Sequence, residues 1–577
     1  MPILRGPMAA EKRPCFLVLM ADQLAASWLP IYGHPVVQAP HLSELARGAT
    51  VFDSAYTPFP LCAPARAAML TGRYASEVGV YDNAAELRAG APTVAHALRA
   101  AGYHTAVAGK MHFVGPDQLH GFEERLTTDI YPADVDWTPD WSRSLDEALP
   151  WYHTMESVLT PGICDASMQT DYDEEVAFTA TRKLYEIARH RADQPFFLFV
   201  SFTNPHDPWE IPARHWDRYR RDQIDDPAVP ALPLDTVDPH SRRLRAMSRV
   251  DEAGLTAAQI RRARHGYYAA VSYLDERVGE VLRALRDSGL HERTTVLFCA
   301  DHGEMLGERG LWYKMSFLEH SARVPVSVRR PAGEGAGGGP EARAGDGAEA
   351  RTGGGAEART GGGAEARTGG GAEARTGGGA EARAGGGAEA RAGGRGRVAG
   401  PVSLLDVAPT LLELAGLDPD AIAGAGDGVS LAPALHGGEA PEHPVVSEYH
   451  AEGVQAPSAM IRSGAHKLIV SLQDPDLLYD LARDPRELHD RSGDPDSARV
   501  AAGLREQLQQ RLDLSDIDRR VRQSQRERWL VSRALRQGRP TSWDFQPAVD
   551  AARQYIRNRE DMYELQRRAR LDSAVPE

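Results

Sequence analysis

Pro14 to Met20 is a short apolar run that leads to an acidic residue, Asp22. Such a run predicts a parallel strand buried on both faces, with a ligand-bearing C-terminal end. Pro195 to Phe202 and Thr294 to Ala300 repeat the pattern. Between these runs the pattern becomes helical, over Thr93 to Ala101, Glu174 to Ala192 and Ala257 to Ser288. In the last stretch apolar residues recur at three- and four-residue spacing. Strands alternating with helices predict an α/β fold, a mainly parallel sheet covered on both sides.

From about Gly333 to Arg397 the pattern breaks. The unit Gly-Gly-Gly-Ala-Glu-Ala-Arg-Thr recurs with an eight-residue period and almost no large apolar side chain. Ordering it would gain little burial against its backbone entropy. A stacked repeat also needs an apolar face, which this one lacks. The expectation is a disordered surface insertion, 333–397, with no catalytic role. Beyond it, Ser403 to Gly416 predicts a helix with Ser403 as N-cap and Gly416 as stop. Ala459 to Ser471 predicts a hairpin around Ser463-Gly464. The expected organisation is a leader, 1–12, then a catalytic α/β core, 13–332 and 398–440. An antiparallel-sheet subdomain, 441–500, and a helical tail, 501–577, follow.

The chain has 577 residues and a formal net charge of -15. Its length can bury a substantial core without staples. The acidic balance argues against nucleic acid as a partner, since phosphate binding needs clustered Lys and Arg. Cys15, Cys62, Cys164 and Cys299 form neither a disulfide framework nor metal-type pairs. Cys15 and Cys299 sit inside strand-like runs and read as core residues. The first apolar run leads directly into Ala21-Asp22-Gln23 with no small-residue cleavage site, unlike a signal peptide. No run approaches the ~20 apolar residues that span a bilayer. The expected location is cytoplasmic, with no membrane partner.

One segment carries distinctive chemistry: Cys62-x-Pro64-x-Arg66, continuing to Leu70-Thr71-Gly72-Arg73. It resembles the signature of sulfatases, in which the cysteine is oxidised after translation to formylglycine. Hydrolysis of a sulfate ester needs a nucleophile that can later release its own sulfate. A hydrated aldehyde does so: one hydroxyl takes the sulfate and the other expels it. Met20-Ala21-Asp22-Gln23 and Ala300-Asp301-His302-Gly303-Glu304 each follow a predicted strand. Carboxylates at adjacent strand ends can converge on one hard cation. Asp22, Gln23, Asp301 and His302, with residue 62, are the expected metal ligands. Gln23 stands where sulfatases usually have a second Asp, and His302 where Asn is also common. The resemblance implies calcium as the cation, with magnesium or manganese as alternatives. A basic group accompanies these residues: Lys110 and His112 in Gly109-Lys110-Met111-His112, His206 in Asn204-Pro205-His206-Asp207-Pro208, and Lys314. Lysines can hold the sulfate oxygens where charge builds. Histidines near neutral pKa can move the protons.

The resemblance narrows to choline sulfatases. Val80 to Glu86, Gly109 to Pro132, Ser272 to Glu276 and Asp301 to Lys314 carry it, and it covers most of the chain outside the repeat. It implies an alkaline-phosphatase-like α/β core, a formylglycine made from Cys62 by a formylglycine-generating enzyme, and release of choline and sulfate. It also implies a homo-oligomer, dimer or tetramer, whose tail helps to close active sites. The implied mechanism has Arg66 holding the hydrated residue 62 and Lys110 with Lys314 on the sulfate oxygens. His206 assists the leaving choline, and His112 deprotonates the second hydroxyl. A quaternary ammonium has no N–H, so its pocket must use aromatic faces and carboxylates. Trp137, His153, Trp543 and Asp544 are the candidate walls, and Asn83 the candidate near the ester oxygen. Thr154 follows His153 where the family often has Asn. Two alternatives stay open: a phosphonate monoester or phosphodiester hydrolase with the same nucleophile, and a non-catalytic binding protein with unconverted Cys62.

Overall fold

The computed structural model describes residues 13–131, 134–143, 152–331, 396–422, 426–537 and 561–572. Its centre is an eight-stranded sheet. From edge to edge the strands are Gly396–Ser403, Thr50–Tyr56, Arg323–Arg329, Thr294–Ala300, Cys15–Ala21, Phe196–Ser201, His104–Gly109 and Glu124–Arg125. All pair parallel except Arg323–Arg329, which runs antiparallel to both neighbours. Cys15–Ala21, Phe196–Ser201 and Thr294–Ala300 match the three predicted strands. Each is buried along its whole length, as a strand covered on both faces must be.

Two groups of helices flank the sheet. Met168–His190 and Ala257–Asp287 pack on each other, and the first also touches strands His104–Gly109 and Phe196–Ser201. Cys62–Thr71, Val94–Ala100 and Val407–Leu414 form the second group. The helix expected from Glu174 starts at Met168 instead. Ser167 caps it: Thr170 N donates to Ser167 Oγ at 3.3 Å and Ser167 N to Thr170 Oγ1 at 2.8 Å. The helix predicted over Ser403 to Gly416 divides into a 3-10 turn, Leu404–Asp406, and an α-helix, Val407–Leu414. Ser403 caps it as expected, and Gly416 stops it at φ 71°.

The core resumes at Gly396, earlier than composition implies. Gly396 and Arg397 already pair with Thr50 and Val51, and Arg397 also bonds Asp53. Backbone pairing needs no apolar side chain, so composition could not mark this boundary. The rest of the repeat, residues 332–395, and the first 12 residues lie outside the described residues.

Beyond the core stands an antiparallel sheet of Val445–Tyr449, Ser458–Ser463, His466–Ser471 and Leu477–Asp480. Its central hairpin turns at Gly464, φ 55°. Helix Ala498–Gln509 packs on it, and helix Leu514–Leu535 then crosses to the turn Val135–Trp137. No described helix is long and apolar enough to cross a membrane.

Candidate active site

Strands Cys15–Ala21 and Thr294–Ala300 are parallel neighbours, with Ala21 paired to Ala300. Their ends therefore deliver Asp22 and Asp301 side by side. Helix Cys62–Thr71 brings Cys62 to the same place. It begins there because Leu61 is extended, at φ -158° and ψ 146°. Pro64 sits in its first turn, where a missing N–H costs no helical bond. Ala63 N, in the same turn, donates to Asn83 Oδ1 at 3.0 Å.

Asp22, Cys62, Asp301 and His302 are all buried, and their donor atoms lie within 4.8 Å of one another. Cys62 Sγ is 3.1 Å from His302 Nε2, 3.6 Å from Lys110 Nζ and 3.9 Å from Asp22 Oδ1. Lys110 donates to Asp22 Oδ2. Arg66 does not touch the thiol through a hydrogen bond. Its Nε donates to Asp301 Oδ2 at 2.8 Å and its Nη1 to Ser201 Oγ at 2.8 Å. Arg66 thus holds the carboxylates in place. Burial opposes the charge of Asp22, but Lys110 first, with Arg66, overcomes it and holds the carboxyl well below its usual range. Burial likewise opposes Lys110 and Arg66, and the acidic neighbours outweigh it, so both are pushed up. Burial brings His302 down to about 4, leaving a neutral imidazole.

Two carboxylates and an imidazole nitrogen around one buried point suit a divalent cation. Gln23 stands at the rim of this set. Its N donates to Asp301 Oδ1 at 3.1 Å, and its Oε1 accepts from Lys314 Nζ at 2.5 Å. Its amide nitrogen donates to Glu304 Oε2 at 2.6 Å and Asp207 Oδ1 at 3.3 Å. Lys314 Nζ is also 2.8 Å from His206 Nε2. Burial, then Lys314, hold His206 well below its ordinary value. Arg66, Lys110 and Lys314 thus stand against Asp22 and Asp301 around Cys62, an arrangement that suits an anionic group.

A second set of residues surrounds this centre. His112 Nε2 lies 3.2 Å from Asn83 O, and the His112 ring meets Trp137 edge-on at 6.4 Å. His153 stacks on Tyr313 at 4.4 Å and lies 5.8 Å from His206, ring to ring. It lines an open cleft of about 590 Å³ with Tyr152, Thr154 and Met247. Another cleft, about 660 Å³ and lined by Trp216, Arg261 and His265, holds none of the expected site residues. Trp543 and Asp544 lie outside the described residues.

Sequence reasoning did not single out Ser201, Asp207, Glu304 or Glu452. Glu304 and Asp207 sit inside the quoted motifs, so spacing had placed them correctly without a role. Glu452 carried no such signal, because the loop after strand Val445–Tyr449 contributes it. It is buried, and among the described residues its Oε2 has no hydrogen-bond partner. Burial, then the charge of Asp82, raise its carboxyl to about 7.

Residues 14–350 match the sulfatase family model, and residues 519–571 match the choline sulfatase enzyme C terminal model. The chain belongs to the sulfatase family and is a sulfatase enzyme. A choline-sulfatase of Rhizobium meliloti (strain 1021) is 40% identical over 95% of this chain and 96% of its own length. An arylsulfatase of Clostridium perfringens (strain 13 / Type A) is 28% identical over 55% of this chain and 69% of its own. The solved phosphonate monoester hydrolase of Agrobacterium radiobacter superposes with a TM-score of 0.62 at 23% identity, over 86% of this chain and 95% of its own. At that identity it shows the shared fold alone, here an alkaline-phosphatase-like one.

Proposed function

We propose that the protein hydrolyses choline sulfate to choline and inorganic sulfate, consuming one water. The observation that carries this reading is the convergence of Asp22, Cys62, Asp301 and His302 beneath Arg66 and Lys110. The 40% identity to a choline-sulfatase supports the choice of ester. The Cys62 thiol marks where a formylglycine side chain would sit. Hydrated, that aldehyde supplies a hydroxyl that takes the sulfate and a second hydroxyl that expels it. Asp22, Asp301 and His302, with Gln23 beside them, would hold a divalent cation, calcium first among the candidates. Bound there, the cation would neutralise sulfate charge and orient residue 62.

The chain's own groups do the rest. Lys110 and Lys314 hold the non-bridging sulfate oxygens. His206 Nδ1 lies 2.8 Å from Asp207 O, so its Nε2 faces Lys314 as an acceptor. His206 and Lys314 thus form one relay that delivers a proton to the departing alkoxide. His112 takes the proton from the second hydroxyl. Trp137 and His153 supply aromatic faces for the ammonium. The family resemblance adds Trp543 and Asp544. Asn83, tied to the first turn of the Cys62 helix, lies by the ester oxygen. The same resemblance carries a homo-oligomer.

The test uses full-length protein co-produced with a formylglycine-generating enzyme. Mass spectrometry of the Cys62 peptide should show a form about 18 Da lighter, as cysteine-to-aldehyde exchange requires. Hydrolysis is compared on choline sulfate, 4-nitrophenyl sulfate and a phosphonate monoester. Choline sulfate should have the highest kcat/KM, and C62A should abolish turnover with folding intact. A higher kcat/KM on the phosphonate ester would assign the chain to that chemistry instead. Substantial turnover by C62A would overturn the nucleophile.

A further inference from the structure

Helix Leu514–Leu535 grips the strip that carries Trp137. Ser532 Oγ donates to Asp136 Oδ1 at 2.6 Å, and Trp529 Nε1 to Pro139 O at 3.3 Å. Gln525 Oε1 accepts from Trp141 N at 3.2 Å. Arg528 Nη1 donates to Thr138 Oγ1 at 3.1 Å. Arg528 alone among these also reaches the loop that holds Asn83. Its Nη1 and Nη2 donate to Asp82 Oδ1 and Oδ2 at 2.6 and 2.7 Å. The Arg528 side chain is 11% exposed and that of Asp82 is 0% exposed. A two-pronged guanidinium–carboxylate pair fixes orientation as well as distance, and burial protects it from screening by salt.

Asp82 leads straight into the site. Its Oδ1 also accepts from Ala84 N at 3.0 Å, which shapes the turn containing Asn83. Asn83 Oδ1 accepts from Ala63 N, one residue past Cys62, and Asn83 O lies 3.2 Å from His112 Nε2. One guanidinium therefore spans the nucleophile side, through Asp82 and Asn83, and the head-group side, through Thr138 and Trp137.

We propose that Arg528 is a positioning residue that clamps these two walls in register. It acts through Asp82 and Thr138 and touches neither the ester nor residue 62. Helix Leu514–Leu535 on this account supports the active site of its own chain. This inference rests on sulfate-ester hydrolysis at Cys62.

The experiment measures kcat and KM per formylglycine for R528A, R528K, D82N and the double variant R528A/D82N. Choline sulfate and 4-nitrophenyl sulfate are the substrates, and thermal melting runs in parallel. R528A should lower kcat on both esters on the order of 100-fold, the cost of a misplacement near 1 Å. KM should rise more for choline sulfate than for the aryl ester, because the Trp137 strip loosens. R528K keeps the charge but not the fork, and should recover only part of the loss. The double variant should match R528A within about twofold, because the link is already cut. Melting that falls while kcat and KM stay within about twofold of wild type would make Arg528 a structural brace and overturn the proposal. Should R528A fail to fold, R528K and D82N carry the same readout. Inactive, fully converted wild type would sink the reading of function; active wild type with an insensitive R528A sinks this inference alone.

Discussion

Burial, then the charge of Asp22, push the Cys62 thiol up to about 11. A thiol so held is not a thiolate near neutral pH and is a poor nucleophile, which supports the proposal that residue 62 acts as formylglycine. Glu448 shows the same physics away from the site. It is buried and accepts from Ser76 N at 3.1 Å. Burial raises it from an ordinary value of 4.5 to about 7, against the two bonds from Ser76. Between those pH values the unfolded chain has released this proton and the folded chain keeps it. The folded state binds more protons, so stability falls as pH rises from about 4.5 to 7. At about 1.4 kcal/mol per unit, the group contributes a loss near 3 kcal/mol. E448Q should remove that slope. Its stability relative to wild type, from urea midpoints, should improve by about 3 kcal/mol between pH 5 and pH 8. An unchanged difference across that range would mean that Glu448 titrates normally.

Strand His104–Gly109 shows how one backbone position sets an element's reach. Gly109 has φ 98°, and a Cβ there would lie 1.9 Å from Ser201 O. Lys110 N donates to that same oxygen at 3.1 Å. The glycine lets two strand ends close up, and so Lys110 arrives at Asp22 and Cys62. G109A should destabilise the fold by about 3 kcal/mol, combining left-handed strain with overpacking. Denaturant midpoints check this. In the fraction that folds, kcat should fall because Lys110 is displaced. A stable G109A with full activity would show that the strand ends can separate without harm.

At the scale of the molecule, the sheet explains how the chain tolerates its repeat. Val328 pairs with Thr50 on one side and Gly396 pairs with it on the other. The chain thus leaves the sheet and re-enters it at one edge, two strand spacings apart, about 10 Å. A short linker can bridge that gap. Replacing residues 332–395 by about eight Gly and Ser residues shortens the loop roughly eightfold, or three halvings worth about 0.6 kcal/mol each. The melting temperature should stay the same or rise by a few degrees, with kcat/KM unchanged. A large loss of either would give the repeat a structural or catalytic role. The opposite holds for helix Leu514–Leu535, whose bonds to Asp82 and Thr138 bind it to the site.

Much of the centre was legible along the chain, because its parts are local. Asp22 and Asp301 follow apolar runs, and a buried parallel strand presents its next residue at the C-terminal edge of the sheet whatever lies around it. Cys62, Pro64 and Arg66 lie close together at the start of one helix, Lys110 sits directly after a strand, and His206 follows another within five residues. Strands Thr50–Tyr56 and Arg323–Arg329 were not legible, since Asp53-Ser54 and Pro325 interrupt their apolar patterns. Neither were Glu452 and Arg528. An acidic residue in a loop and an arginine in a polar helix are ordinary surface residues by sequence. Only the packing of distant segments removes them from water, and with water gone, a carboxylate or guanidinium must find a partner or a ligand. Local order along the chain thus decided which groups carry the chemistry around Cys62, and long-range packing decided what encloses them.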